Sequence, residues 1–223
     1  MSASSPANAT PRRSEKRERT RGRLLEFGRQ AFARRGHGAT NLKEDILLPA
    51  GVSVGSFYHQ FRDKTDLFLV ILEEHGATFR QRIHDANTPR DDMNEEQIAR
   101  RSFDTAFAIA EENADLFRIL LRERESEDER VRKFLRESRR EWTRGLMADY
   151  RAILKSHDVP NNDIEMAAEL VQSMTFGIIA YYLELLPTEQ EAERARLIDG
   201  LVRFTLGGLN SLFGAAAKPR RLA

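Results

Sequence analysis

The sequence predicts an all-α protein, a small N-terminal head of three helices followed by a larger C-terminal helical bundle. Apolar residues recur at the 3.6-residue helical period from Arg19 almost to the end of the 223-residue chain, and no stretch keeps the alternating period of a strand. Charge is divided along the chain: residues 1–64 hold 13 Lys and Arg against six Asp and Glu, a balance of +7, and the remaining 159 hold 23 against 29, a balance of −6. A basic first third on an acidic remainder fits a polyanion-binding head joined to a body with another task. The alternative is chance clustering on two solvated faces.

Each element has its own signals. Residues 1–13 read as a disordered leader, and 217–223 as a disordered tail. Helix one spans about Ser14 to Arg35, with Leu24, Leu25, Gly28, Ala31 and Phe32 on one stripe and Gly36 and Gly38 ending it. Leu42 to Leu48 follows a cap at Thr40 or Asn41, the latter with Glu44 in capping-box position, and Pro49 and Gly51 stop it. Ser53 caps a third short helix to about Gln60, and Asp63 with Asp66 starts a fourth running to about Ile83. Three amphipathic stretches follow: Glu95 to Glu112, Ala114 to Arg124 and Glu127 to His157.

The last two segments, Asn161 to Leu186 and Thr188 to Phe213, are apolar on more than one face and need cover on both sides. One row, with Ile178, Tyr182, Val202, Thr205, Leu209 and Leu212, is the candidate interface of a homodimer built as a four-helix contact. A deeply buried hairpin in a monomer is the alternative. The domain expectation is a head over 14–65 and a body over 66–216.

Composition excludes several classes of chemistry. Cysteine is absent, which removes disulfides, thiolate nucleophiles and Cys-ligated metals and makes a reducing, cytoplasmic setting the expectation. The most apolar run, Phe176 to Leu186, contains Glu184 and is too short to span a membrane. None of the five histidines pairs at i,i+4, so no metal is called for, nor any organic cofactor.

Leu42 to Gln60 has the punctuation of a helix-turn-helix: short helix, Pro/Ala/Gly turn, short helix. A second helix so short and polar at its start suits the major groove of B-DNA. Ser53 and Ser56 offer hydrogen bonds, Val54 an apolar contact to a thymine methyl, and Gly55 close backbone approach, followed by Tyr58 and His59. Lys64 adds charge at the start of the next helix. The Arg cluster from Arg12 to Arg23, including Arg21, reads as an arm reaching a groove or the backbone. It also reads as a solvated basic helix steadied by Glu15 and Arg19.

The stretch ILLPAGVSVGSFYHQFRDKTDLF, Ile46 to Phe68, closely resembles the helix-turn-helix signature of the tetracycline-repressor (TetR) family of transcription regulators. The matching pieces are Ile46, Ala50-Gly51-Val52-Ser53, Gly55, Phe57-Tyr58, Phe61, Lys64 and Leu67, with Phe32, Gly36 and Thr40 upstream. The resemblance implies that Ser53 to His59 form the recognition helix, that Thr40, Tyr58 and Lys64 contact phosphate, and that Phe57 and Phe61 are core. Lys43 joins this set as a cation at the start of helix two. Four departures stand out: one extra residue between Thr40 and Ile46, Pro49 late in helix two, Gln60 where His or Tyr is common, and Val54 where a polar residue is common.

The resemblance further implies a C-terminal ligand-binding and dimerisation bundle. Phe103, Phe107, Phe117, Leu121, Trp142, Leu146, Tyr150, Met174 and Tyr181 are the candidates for lining its pocket, although such stripes also serve as plain core. The expected function is a repressor, released from a palindromic double-stranded DNA operator by a small, largely apolar effector. Activation or corepression remains an alternative. A non-specific architectural DNA binder would share the basic head but would not need 130 further residues. Gly51-Val52-Ser53-Val54-Gly55 is formally the G-x-S-x-G of a hydrolase nucleophile, but that reading requires a parallel sheet that the sequence does not supply, and the later histidines, His75, His84 and His157, all lie in charged, helical contexts.

Overall fold

The computed structural model describes residues 11–153 and 159–214, and among them there is no strand. The expected leader through residue 10, the expected end of the long helix at His157 and the expected tail lie outside the described residues. The elements are α1 (Pro11–Ala39), α2 (a π-helical turn, Leu42–Leu47, running into Leu48–Ala50), α3 (Val54–Tyr58), α4 (Lys64–Asn87) and α5 (Glu95–Glu112). Then come α6 (Ala114–Arg122, followed by a 3₁₀ turn, Glu123–Glu125), α7 (Glu129–Ile153), α8 (Asn161–Glu184) and α9 (Pro187–Gly214).

Local chemistry sets the boundaries in the head. α1 is broken at Gly36, whose φ of 77° and ψ of 166° only glycine adopts without strain. The Asn41 side chain caps α2, with Oδ1 accepting from the N–H groups of Lys43 and Glu44. The return bond comes from Asp45, whose Oδ2 accepts from the Asn41 N–H at 2.8 Å, rather than from the expected Glu44. That one-residue offset has a structural cause: Leu42–Leu47 winds as a π-turn, which takes up the extra residue counted between Thr40 and Ile46. Gly51, at φ 57°, then closes the helix in the left-handed region. Ser53 caps α3 and Asp63 caps α4, each accepting from the N–H three residues on.

Phe32, Phe57 and Phe68 are fully buried between α1, α3 and α4, with Phe32 and Phe68 edge to face at 4.8 Å. Burying each ring stabilises the head by about 2–3 kcal/mol. α4 continues into the body, where it packs on α5 and α7. It runs parallel to α7 and is fastened at both ends. Near its start Arg130 donates to Asp63 and Thr65 to Asp128, each at 2.9 Å. Near its end the buried Asp149 accepts from His84 at 2.7 Å and from Asn87 at 2.8 Å. α8 packs along α7 and α9, and α9 along α5.

Candidate nucleic-acid interface and effector cavity

α3 presents a continuous exposed face of Ser53, Val54, Gly55, Ser56, Tyr58 and His59, while its one buried residue, Phe57, anchors it. Val54 and Tyr58 expose half or more of their surface. Ser53 Oγ accepts from the Ser56 N–H at 3.2 Å and donates to Ser56 Oγ at 2.9 Å, so the two hydroxyls form one polar unit at the start of the helix. The sequence reading missed Leu48, a large apolar residue 60 % exposed beside the turn. Its signal was ambiguous, because a leucine in an amphipathic helix is normally read as core.

Three of the ten candidate DNA contacts are engaged within the chain instead. Thr40 is buried, and its hydroxyl donates to the Gly36 carbonyl at 2.6 Å. The Lys64 ammonium donates to the carbonyls of His37 and Thr40 at 2.6 and 2.7 Å, satisfying the C-terminal end of α1, and burial lowers its pKa. Arg21 pairs with Glu74 on α4 and lies over the Phe61 ring at 5.3 Å. These side chains position the head rather than project from it. Lys43 is exposed beside Glu44. On α1, Lys16, Arg17 and Arg19 are exposed with no carboxylate within 4.0 Å among the described residues, and the expected Glu15–Arg19 pair is not formed.

The end of α1 meets the turn between α6 and α7. The His37 N–H donates to Glu123 Oε1 at 2.7 Å, and Glu123 is buried. A Cβ at Gly36 would stand 2.8 Å from Arg122 Cδ and 2.9 Å from Glu123 Oε1, so the close approach also requires glycine. His37 Nε2 is 2.9 Å from Thr65 Oγ1. Because that hydroxyl donates its proton to Asp128, the ring must donate from Nε2. Burial, and next the Lys64 charge, lower the His37 pKa and keep the ring neutral.

The body encloses a cavity of about 700 Å³ bounded by α4 to α9. Five of the nine pocket candidates line it: Phe103, Phe117, Trp142, Leu146 and Tyr150. Phe107 is fully buried behind the wall against the Tyr182 ring at 4.9 Å, and Met174 packs on the core. Leu121 is half-buried off the wall, and Tyr181 faces outward, 47 % exposed. Burial pushes the Tyr150 phenol well up, so it stays protonated.

The candidate dimer row is also largely internal. Tyr182 and Val202 are buried in their own chain, with the Tyr182 hydroxyl donating to Glu111 at 2.5 Å. Thr205 and Leu209 line the cavity, and Ile178 and Leu212 pack on the core. The apolar residues left outside on α8 and α9 are Met166, Leu170, Tyr181 and Phe204, the last 72 % exposed. Exposed Gly177, Gly207 and Gly208 interleave with them. Each helix carries two apolar rows, and which row turns inward is decided by α5 and α7, not by periodicity.

Residues 24–71 match the family model of bacterial regulatory proteins, tetR family. Solved structures are similar over nearly the whole chain. GusR of Salmonella enterica is 24 % identical with a TM-score of 0.68, covering 86 % of this chain and 95 % of its own. A tetR-family regulatory protein from Rhodococcus RHA1 is 20 % identical at 0.64, over 83 % and 96 %. The regulator FadR of Bacillus subtilis, solved with stearoyl-CoA, is 13 % identical at 0.68, over 84 % and 98 %. The head of this chain thus matches the tetR-family model, and the chain shares the all-α fold of these solved structures.

Proposed function

We propose that this chain, with its tetR-family head and fold, is a ligand-responsive DNA-binding regulator that works as a homodimer. In this reading it is a repressor released from a palindromic operator by an effector held in the body cavity. The observation that carries the reading is the adjacency of two residues in one 3₁₀ turn: Glu123 holds the backbone of the head through His37, and Arg124 lines the cavity. An occupant that shifts this turn alters the seating of α1, and with it that of α3.

The proposed reading face is Ser53, Val54, Ser56, Tyr58 and His59, with Leu48 and Lys43 at its edge and the basic start of α1 beside it. Thr40, Lys64 and Arg21 hold that face in place. The outward Met166, Leu170, Tyr181 and Phe204 are the proposed dimer surface, which sets two recognition helices at the spacing of successive major grooves, about 34 Å. An effector acts here only by binding the released and bound arrangements with different affinity. The stearoyl-CoA in the FadR structure is in line with a long, largely apolar occupant for this cavity.

Selection of binding sites from a pool of random duplexes by the purified protein tests the reading. It should return a palindrome with half-sites about one helical turn apart, bound by two chains. Recovery of unrelated sequences would contradict it.

A further inference from the structure

The cavity carries an asymmetry of charge that a purely apolar ligand leaves unexplained. Five arginines lie on its lining, Arg80, Arg124, Arg132, Arg136 and Arg139, against a single acid, Glu95. Two carboxylates partly neutralise them: Glu141 faces Arg80 at 3.4 Å, and Glu129 is shared by Arg132 and by Arg136, the latter at 2.9 Å. Arg124 and Arg139 have no carboxylate within 4.0 Å among the described residues.

These two guanidinium groups converge on one patch. Arg139 donates to Ser173 Oγ at 3.2 Å, and Arg124 lies over the Phe176 ring at 6.0 Å. Ser173 and Phe176 are three residues apart on α8 and therefore neighbours on one face. Both arginines are exposed, so the patch sits at the mouth of the cavity. Beneath it the wall is aromatic: Phe176 stacks on Phe117 at 6.1 Å, and Phe117 on Phe79 at 6.3 Å. A volume of about 700 Å³ lies within the range of sites that enclose a small organic ligand.

We propose that the occupant is an amphipathic anion, an apolar chain inserted along the Phe176–Phe117–Phe79 wall with its anionic head group held at the mouth by Arg124 and Arg139. This rests on the reading of the cavity as an effector site and names the ligand class. A carboxylate and the phosphates of an acyl thioester share the recognising chemistry, since both accept charge-assisted hydrogen bonds from guanidinium. An anion on Arg124 also acts directly on the turn that carries Glu123.

Trp142 is the chain's single tryptophan, lines the cavity and lies one turn from Arg139, so its fluorescence reports occupancy without DNA. The probes are palmitate, palmitoyl-CoA and methyl palmitate, titrated below their aggregation concentrations. At least one anion should saturate the signal at one per chain, with the uncharged ester roughly 10-fold weaker or more. The double variant Arg124→Gln, Arg139→Gln should lose roughly 10-fold for the anion and little for the ester. Its helical circular dichroism and melting curve establish that it folds. Palmitoyl-CoA binding alone assigns a phosphate-bearing head group that also reaches Arg132 and Arg136, and palmitate binding alone assigns a simple carboxylate. Equal binding of the ester, indifference of the double variant, or no binding of either anion overturns the proposal. Failure to select an operator would overturn the regulator reading and leave this result standing.

Discussion

The backbone N–H of His37 donates to Oε1 of Glu123 at 2.7 Å across a sequence separation of 86 residues. This bond fastens the last turn of α1 to the turn that precedes α7, and Gly36 makes the approach sterically possible. The coupling we propose between head and cavity would run through a small cluster here, the buried Gly36, His37, Thr65 and Glu123 with the half-buried Asp128.

Glu123→Ala should therefore leave a buried N–H unsatisfied and lower stability by about 1–3 kcal/mol in urea unfolding. Gly36→Ala should cost at least as much, because it adds left-handed backbone strain to a steric conflict. In both variants operator affinity should become less sensitive to effector than in the wild type. Unchanged stability together with unchanged effector response would count against the junction.

Substitutions in the head should separate readers from supports. Tyr58→Ala should weaken binding to operator and to unrelated DNA alike, whereas Ser56→Ala or Val54→Ala should change sequence preference by about 1–3 kcal/mol at one base pair. Thr40→Val and Lys64→Met should lower the unfolding midpoint, because the hydroxyl satisfies the Gly36 carbonyl and the ammonium the carbonyls of His37 and Thr40 at and just past the end of α1. Loss of operator affinity in Lys64→Met at full stability would instead assign the ammonium to phosphate.

These roles mark where the sequence was legible. The caps at Asn41, Ser53 and Asp63 could be read because side chain and backbone partners lie within three residues of each other. The helices expected over 95–112 and in the last two segments are present, and their signal was the helical period of their apolar residues. The bonds that Lys64 makes within the chain were not legible, because its partners His37 and Thr40 lie 27 and 24 residues upstream, and no local pattern distinguishes a lysine on phosphate from one on a helix end. The inward row of α8 and α9 depends on α5 and α7, so Tyr182 and Val202 were expected at the surface and lie in the core. The π-turn in α2 left only a trace, the extra residue before Ile46.

Thr205 is buried and its hydroxyl has no hydrogen-bond partner among the described residues. Thr205→Val keeps the shape and removes an unsatisfied group, so the ligand-free protein should gain about 1 kcal/mol, measured as a higher urea midpoint. A loss of stability would mean that the hydroxyl is satisfied in solution.

The His37 pKa lies below the ordinary value of about 6.5, chiefly through burial and then through Lys64. The unfolded chain therefore takes up a proton before the folded one does. Stability should be full above about pH 6.5 and fall as pH drops from there through the lowered folded-state value. His37→Gln should flatten that fall without abolishing it, because burial and Arg29 lower His75 in the same direction. Urea unfolding across this pH window would show it, and an undiminished slope in the variant would place the titration elsewhere.

The central claim is that the exposed face of α3 reads a specific operator, and footprinting tests it most directly. The wild-type protein would be applied to the DNA upstream of its own coding region across a salt series, with unrelated DNA as competitor. The account predicts a discrete, palindromic protected site that survives competition while overall affinity falls steeply with salt. Uniform, salt-labile coverage without a preferred site would contradict it.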